Sequence, residues 1–290
     1  MPVVPDSQTR LFAVFGHPVR HSLSPAMHQA AFEALGLNAV YLAFDVEEAA
    51  LPAALSGLSA VGAGGVNLTI PLKRRAFELL PRLDATARLL GAVNTVAFRP
   101  EGMTGYNTDG IGFLRDLQAT VGFSPAGRRV CVVGCGGAGR AIALTCATQG
   151  ATTIALANRT PGRSQQLADE VRQQAPATRV EVLPADAASW VDAVRAADLI
   201  VHCTSVGLHA GERSVLPPDA FRPGQVVYDL IYNVPVTPCM QAARSAGAQA
   251  INGLGMLVHQ GAAAFAIWTG QEPDVARMRA AIEPLVRPPS

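Results

Sequence analysis

The single lysine of this sequence, Lys73, is the first candidate for chemistry. All 22 other basic residues are arginine, which indicates that arginine serves wherever a plain positive charge suffices. A lysine ammonium can give up its proton in a suitable environment, whereas an arginine guanidinium effectively cannot. The lone lysine therefore fits either a role in proton transfer or a chance surface position, and its type alone leaves both interpretations open.

In the predicted first domain, which contains Lys73, polar side chains interrupt otherwise apolar segments. Asn67 and Thr69 are two residues apart on a predicted strand, so they share one face of it. Open α/β sheets bind ligands at the carboxyl ends of strands and the amino ends of helices. Any one of these side chains could instead cap a helix or satisfy local backbone, but as a set they suit a polyhydroxylated acid. The set is Ser22, Ser24, Asn67, Lys73, Thr69, Asn94 and Asp109.

A glycine pattern, Gly134-x-Gly136-x-x-Gly139, follows a predicted strand and opens a predicted helix. In that context the pattern is typical of a dinucleotide site, because the glycines allow a tight turn and a close approach of backbone to pyrophosphate. The pyrophosphate would then lie at the helix amino terminus. A plain glycine-rich turn of an α/β protein is the weaker interpretation.

The next predicted strand indicates which dinucleotide is bound. It ends at Ala157 and is followed by Asn158-Arg-Thr160, with Arg163 close behind. NAD-binding proteins usually carry an acidic residue here for the ribose hydroxyls, and this chain has none before Asp169. Two guanidinium groups and a hydroxyl suit a 2′-phosphate, so NADP is the predicted cofactor.

Alternating strands and helices around these residues predict an α/β fold with a mostly parallel sheet. Ser24 before Pro25 predicts a helix whose N-cap is the serine hydroxyl. A helix over 110–121 is expected to lead into a second, nucleotide-binding domain. The predicted strands are Leu11–Phe15, Val40–Val46, Ala63–Ile70, Gly91–Phe98, Met103–Tyr106, Arg129–Val133, Thr152–Ala157, Val180–Val182, Leu199–Cys203 and Val226–Leu230. The predicted helices include Ala26–Leu35, Glu47–Leu58, Arg140–Gln149, Ser164–Gln174, Leu254–Thr269 and Pro273–Leu285.

Composition narrows the class of protein. With 49% hydrophobic and 16% charged residues and a mean hydropathy of +0.24, the chain is not a disordered one. A net charge of +1 gives no electrostatic basis for binding nucleic acid or an anionic membrane. Five cysteines without a pairing pattern, no metal-binding spacing and no signal-peptide pattern favour a cytoplasmic protein. The uncharged stretch 245–271 carries too many polar groups for a membrane span.

Six motifs, in order along nearly the whole chain, closely resemble the shikimate/quinate dehydrogenase family, and most closely its NADP-dependent shikimate dehydrogenases. They are His21-Ser-Leu-Ser-Pro25, Gly65-Val-Asn-Leu-Thr-Ile-Pro-Leu-Lys73, Gly91-Ala-Val-Asn-Thr95, Gly105-Tyr-Asn-Thr-Asp109, Asn158-Arg-Thr160 and Gly253-Leu-Gly-Met-Leu-Val-His-Gln260. The resemblance implies reversible NADPH-dependent reduction of 3-dehydroshikimate to shikimate, a step of chorismate and aromatic amino acid biosynthesis. It also implies that the carboxy-terminal helices return to the first domain. The expected domains are then a substrate-binding and catalytic domain of residues 1–109 plus 254–290, and a Rossmann NADP-binding domain of residues 110–253.

The resemblance also implies roles for individual residues. Lys73 would be the catalytic acid or base, with Asp109 beside it. The residues implied to bind substrate are Ser22, Ser24, Asn67, Thr69, Asn94, Tyr232 and Gln260. The residues implied to bind NADP are Gly134, Gly136, Gly137, Ala138, Gly139, Asn158, Arg159, Thr160, Arg163, Thr204, Ser205, Leu230 and Gly253.

Some alternatives stay open on the sequence. Lys73 could act mainly as an electrostatic anchor, with the proton arriving through Asp109 or water. His202-Cys-Thr-Ser205 departs from the Asn-Ala-Thr-Ser-like run usual in the family near the nicotinamide. The rival functions are a broader quinate/shikimate dehydrogenase that also uses NAD, a non-catalytic sensor of NADP(H) or shikimate, and a two-domain NADP enzyme acting on a folate. The protein is expected to be a monomer or a homodimer.

Overall fold

The computed structural model describes residues 4–209 and 211–286 and divides into two compact units. The first unit comprises residues up to Gly112 together with Leu257–Leu285, and the second comprises Phe113–Met256. Two helices have residues in both units: α5 (Asp109–Val121) and α10 (Leu254–Thr269). The chain therefore leaves the first unit once and re-enters it once.

The first unit is built on a six-stranded sheet in the order β2-β1-β3-β5-β6-β4. Its elements are β1 (Arg10–Gly16), α1 (Ser24–Ala34), β2 (Ala39–Asp45), α2 (Leu51–Ala60), β3 (Gly65–Leu68), α3 (Leu72–Leu79), β4 (Arg82–Leu83), α4 (Ala85–Leu90), β5 (Thr95–Arg99), β6 (Gly102–Tyr106) and, after α10, α11 (Val275–Ile282). Only β5 pairs antiparallel with its described neighbours, β3 and β6. The prediction of a mostly parallel α/β domain is confirmed.

Trp268 of α10 completes the core of the first unit. Its indole packs against Phe12 with ring centroids 5.3 Å apart, and its Nε1–H donates to the carbonyl oxygen of Val96 at 3.0 Å. A Cβ added at Gly65 of β3 would overlap the same indole, so glycine there makes room for it. The carboxy-terminal part of the chain is thus an integral part of this unit.

The second unit is a parallel six-stranded sheet in the order β12-β11-β10-β7-β8-β9. Its elements are β7 (Arg129–Val133), α6 (Gly137–Thr148), β8 (Thr153–Ala157), α7 (Pro161–Gln174), β9 (Arg179–Val182), α8 (Val191–Ala196), β10 (Leu199–His202), β11 (Val226–Asp229), α9 (Pro238–Ser245) and β12 (Gln249–Asn252). This is the doubly wound dinucleotide-binding arrangement, in which the strand order reverses between β7 and β10. The four central strands, β11, β10, β7 and β8, are almost fully buried, as parallel sheets covered on both faces require, and the edge strands β12 and β9 are more exposed.

Two predicted helix starts are wrong. The N-cap of α1 is Leu23, already in the helical region of φ and ψ, so Ser24 lies inside the first turn and forms no cap. The hydroxyl of Ser22 instead accepts the backbone N–H of Ser24 at 3.3 Å. The helix predicted from Arg140 begins at Gly137, because the glycine pattern extends into its first turn.

Some strand boundaries also differ from prediction. The strand predicted over 91–98 begins at Thr95, because Gly91 ends α4 in a left-handed conformation with φ 53° and the following residues connect the two elements. The helix α4 itself was not predicted, and the side chain of Asp84 caps it by accepting the N–H of Ala87 at 2.8 Å. No helix in the described part of the chain has the length and apolarity that crossing a bilayer requires.

Candidate active site

An ion pair at two helix starts forms the chemical centre of the first unit. Lys73 is the second residue of α3, and Asp109 is the first residue of α5. The Lys73 ammonium donates to Oδ2 of Asp109 at 2.6 Å. The side chains are 30% and 15% exposed, so the pair is shielded yet open to a small ligand.

Asn94 holds the other side of the Asp109 carboxylate. Its Nδ2 donates to Oδ1 of Asp109 and to the hydroxyl of Thr108, each at 2.9 Å. Its Oδ1 accepts the backbone N–H of Thr108 at 2.8 Å. Asn94 is buried, so these bonds fix the orientation of the carboxylate and, through it, the position of the ammonium.

Gln260 of α10 reaches the same group of side chains. Its Oε1 lies 3.4 Å from Nδ2 of Asn94 and 3.4 Å from the hydroxyl of Thr108. A Cβ at Gly112 would approach the Gln260 backbone nitrogen to 2.7 Å, so glycine on α5 allows this close helix approach. The Gln260 side-chain amide Nε2 donates to the carbonyl oxygen of Leu257 at 2.8 Å.

Asn67 lies deeper, in a chain of donors that ends at the ion pair. The hydroxyl of Tyr41 donates to Oδ1 of Asn67 at 2.7 Å, and Nδ2 of Asn67 donates to the hydroxyl of Thr95 at 3.0 Å. The Thr95 hydroxyl in turn donates to Oδ1 of Asn94 at 2.9 Å. The register places Asn67 between β1 and β5, opposite Val14 and Thr95. Tyr41 and Thr95 were not singled out by sequence, because their partners lie on other strands.

The remaining predicted substrate residues lie around this network. Thr69 follows β3 and is half-buried; a Cβ at Gly16 would overlap its methyl group. Burial raises the pKa of the Tyr41 phenol well above its usual value, and a hydrogen bond with Ser24 partly opposes the rise. Ser24 therefore adjoins the buried end of the donor chain, with Ser22 beside it.

A neutral histidine lies against the same network. His28 is fully buried, and its ring stacks on that of Tyr41 with centroids 4.4 Å apart and planes 3° from parallel. Burial lowers the pKa of His28 to about 3, so the imidazole carries no charge near neutral pH. No spacing pattern in the sequence indicated this location.

The second unit presents the glycine-rich turn at the carboxyl end of β7. Gly134 has φ 101°, and a Cβ there would lie 2.9 Å from the methyl of Thr204. A Cβ at Gly139 would overlap the carbonyl of Gly134, which accounts for glycine at that position too. Positions 136 and 137 face open space, and Gly137 and Ala138 are exposed. The free N–H groups of the first turn of α6 are therefore accessible, which fits a pyrophosphate.

Asn158 joins this turn to the predicted 2′-phosphate segment. Its Oδ1 accepts the N–H of Cys135 at 3.1 Å, and its Nδ2 donates to the carbonyl of Thr160 at 2.9 Å. Arg159 and Arg163 are exposed, and no ion pair joins either to a carboxylate among the described residues. Two uncommitted guanidinium groups beside the turn fit a phosphomonoester.

The other predicted cofactor residues follow β10, β11 and β12. Thr204 and Ser205 come directly after β10, and the hydroxyl of Thr204 lies 2.7 Å from Nε2 of His202. Leu230 follows β11, and a Cβ at Gly253 would overlap its carbonyl, so glycine is needed after β12. Tyr232, predicted to bind substrate, belongs to this second unit, and burial raises its pKa.

Family models match three stretches of the chain. The model described as the shikimate dehydrogenase substrate binding domain matches residues 14–96. The one described as shikimate / quinate 5-dehydrogenase matches residues 117–217, and the shikimate 5′-dehydrogenase C-terminal domain matches residues 253–283.

Individual proteins match over nearly their whole length. The NADP(+) shikimate dehydrogenase of Moorella thermoacetica is 49% identical, over 94% of this chain and 92% of its own. A solved structure of a shikimate dehydrogenase in complex with NADP+ gives a TM-score of 0.89 at 36% identity and covers 99% of both chains. The Thermus thermophilus shikimate 5-dehydrogenase in complex with NADP(H) and shikimate gives 0.84 at 40% identity, covering 94% of this chain and 98% of its own. With such identity over such coverage, the chain belongs to the shikimate dehydrogenase family.

Proposed function

We propose that this protein catalyses the NADPH-dependent, reversible reduction of 3-dehydroshikimate to shikimate, a step of chorismate and aromatic amino acid biosynthesis. The observation that supports the proposal is the 2.6 Å hydrogen bond from Lys73 to Asp109, whose carboxylate also accepts a hydrogen bond from Asn94. Relatives that are 42–49% identical, including the Moorella thermoacetica enzyme, are NADP(+) shikimate dehydrogenases.

The reaction needs a hydride at the ketone carbon and a proton at the ketone oxygen. NADPH supplies the hydride when it is bound. Lys73 donates the proton, and in the reverse direction the neutral amine takes it back. Asp109 holds the ammonium in place and stabilises its charge, while Asn94 keeps the carboxylate from turning.

The substrate is a ring acid with several hydroxyl groups, and the first unit offers matching polar groups. Hydroxyls and amides accept and donate to the ring hydroxyls, and they supply neutral donors for its carboxylate. The residues assigned to this role are Ser22, Ser24, Asn67, Thr69, Asn94 and Gln260 of the first unit, together with Tyr232 of the second unit. Asn67 and Asn94 also connect to one another, so substrate binding and alignment of the ion pair are coupled.

The cofactor is NADP. The open first turn of α6 suits the pyrophosphate, and the exposed Arg159 and Arg163 suit the 2′-phosphate. The residues assigned to the cofactor are Gly134, Gly136, Gly137, Ala138, Gly139, Asn158, Arg159, Thr160, Arg163, Thr204, Ser205, Leu230 and Gly253.

We also propose the roles of the two domains, the location of the protein and its assembly. Residues 1–109 plus 254–290 form the substrate-binding and catalytic domain, and residues 110–253 form the NADP-binding domain. The protein works in the cytoplasm as a monomer or homodimer, on small molecules and without a nucleic-acid or membrane partner. The near-neutral net charge of +1 supports this last point.

The test is NADP+ reduction with shikimate, repeated with quinate and with NAD+. Strong turnover only with shikimate and NADP+ is the expected result. Comparable rates with quinate or NAD+ would show a broader quinate/shikimate dehydrogenase. A folded protein that binds NADP+ but turns over no pair would contradict the enzymatic role and favour a sensor.

A further inference from the structure

His202, the residue that departs from the family pattern, links two neighbouring strands through its ring. It is the last residue of β10 and is only 1% exposed. Its Nε2 lies 2.7 Å from the hydroxyl oxygen of Thr204, and its Nδ1 lies 3.1 Å from Oδ1 of Asp229. The Nδ1 contact does not have hydrogen-bond geometry, and this nitrogen has no hydrogen-bond partner among the described residues.

Asp229 is a fixed anchor for this ring. It lies opposite His202 in the register of β10 and β11 and is fully buried. Its Oδ2 accepts the Thr237 hydroxyl at 2.5 Å, and its Oδ1 accepts the N–H of Ile231 at 3.1 Å. A buried carboxylate favours a donor within reach, so the imidazole proton is assigned to Nδ1, which lies 3.1 Å from Oδ1 of Asp229.

That tautomer determines what the Thr204 hydroxyl can do. When only Nδ1 carries a proton, Nε2 is an acceptor, and the Thr204 hydroxyl donates to it. The N–H of Val206 donates to the same hydroxyl oxygen at 3.2 Å. A hydroxyl has one proton and two lone pairs, which leaves Thr204 with a single lone pair. Thr204 is therefore limited to accepting one further hydrogen bond.

Thr204 lies at the point where a dinucleotide crosses the sheet. It follows β10, directly beside the Gly134 turn that ends β7, where the strand order reverses. Each half of such a sheet binds one nucleotide. Arg159 follows β8 and assigns that half to the adenosine 2′-phosphate, so the half containing β10 takes the nicotinamide riboside.

We propose that His202, oriented by Asp229, is a positioning residue that fixes Thr204 as a hydrogen-bond acceptor for an N–H or O–H group of the nicotinamide riboside of NADP. The inference rests on the proposed function only in taking NADP as the cofactor. His202 itself touches neither cofactor nor substrate; it acts through the Thr204 hydroxyl.

The same side chains also meet the distance requirement for a metal ion. Donor atoms of His202, Asp229 and Cys239 lie within 4.8 Å of one another. Both oxygens of Asp229 already accept hydrogen bonds, however, and burial together with the Asp229 charge raises the pKa of the Cys239 thiol. A metal binds the thiolate, so the local chemistry favours the hydrogen-bonded arrangement.

A double-mutant cycle on the full chain tests the proposal. Affinities for NADP+ and for adenosine 2′,5′-bisphosphate, which lacks the nicotinamide half, are measured by calorimetry in wild type, His202→Asn, Thr204→Val and the double variant. Each single variant is expected to weaken NADP+ binding about five- to tenfold, the range for one lost hydrogen bond. Binding of the bisphosphate stays unchanged, and His202→Asn has no further effect once Thr204 is valine.

Two further variants sharpen the result. Thr204→Ser keeps the hydroxyl and is expected to retain NADP+ affinity. Thr148→Val removes a hydroxyl that, within residues 4–209 and 211–286, bonds only to carbonyls of its own helix, and it is expected to change neither affinity.

Additive losses in the double variant, equal losses for both ligands, or wild-type NADP+ affinity in His202→Asn would overturn the positioning role. These binding measurements need no turnover. Absence of shikimate oxidation by the wild type would therefore contradict the proposed function without deciding this inference.

Discussion

The two candidate binding regions differ in whether their polar groups already form hydrogen bonds within the protein. In the first unit, donors run in one direction from Tyr41 through Asn67, Thr95 and Asn94 to Asp109, and nearly all are used within the protein. In the second unit, the N–H groups of Gly137 and Ala138 at the start of α6 and the guanidinium of Arg159 have no partner in the part of the chain that the structure describes. The substrate side is therefore a preorganised frame around one ion pair, while the cofactor side keeps its donors for an anion.

Replacing Lys73, in the ion pair at the centre of this frame, is expected to lower activity more than any other change considered. Lys73→Arg keeps the positive charge but cannot release a proton, so kcat for shikimate oxidation should fall about 10²- to 10⁴-fold. Steady-state kinetics measures this, with Arg74→Lys as the control on an exposed neighbour. A near wild-type kcat would instead assign Lys73 a purely electrostatic role.

Removing the guanidinium of Arg159 should weaken NADP+ binding without changing the groups that transfer the proton. Arg159→Ala is expected to weaken NADP+ binding about 10- to 100-fold, because a charge-assisted bond to the 2′-phosphate is lost, and to leave NAD+ binding unchanged. Arg172→Ala on α7, the helix that follows Arg159, is the control, since Arg172 is paired with Asp169. Equal losses for NAD+ and NADP+ would contradict the assignment.

The buried His28, which stacks on Tyr41, should make the free energy of unfolding depend on pH. His28 is neutral in the folded protein with a pKa of about 3, whereas an unfolded histidine titrates near 6.5. The unfolded chain therefore binds a proton first as pH falls below about 6.5, and stability decreases from there toward about pH 3. At about pH 5 the loss is about 2 kcal/mol.

Urea unfolding of wild type and His28→Phe at about pH 7 and about pH 5 measures that contribution. The phenylalanine variant should lose about 2 kcal/mol less between the two pH values, because it cannot be protonated. His21→Gln, at an exposed position, is the control. The same pH dependence in wild type and His28→Phe would show that His28 is accessible to protons when folded.

The smallest effect is expected at the far end of the donor chain. Tyr41→Phe removes the hydroxyl that holds Asn67, so kcat/KM for shikimate should fall about three- to tenfold. The KM for NADP+ should not change, because Tyr41 lies in the first unit. An unchanged kcat/KM would show that the frame does not need its outermost donor.

Elements whose ends are set by a local pattern of residues have the bounds that the sequence predicts. The strand Arg129–Val133 and the helix Leu254–Thr269 have the predicted bounds, because continuous apolar runs end at glycine or polar residues. The predicted parallel pairing of the nucleotide-binding strands is also confirmed. Short-range patterns sufficed for these elements.

Long-range contacts set the limit of prediction. Ser24 looked like a helix cap, yet the chain is already helical at Leu23. Tyr41 and Thr95 were missed, because a hydrogen bond between strands leaves no spacing signal. The pairing of His202 with Asp229 depends on strand register, which the sequence alone does not fix.

The split first unit has a consequence for synthesis on the ribosome. Its sheet is made first, but Trp268, which fills the space at Gly65, is made only after the entire second unit. Gln260 likewise joins Asn94 across 166 residues of chain. A nascent chain can thus finish the nucleotide-binding unit while the sheet of the first unit still lacks Trp268. The core of the first unit is therefore completed only after α10 has been synthesised.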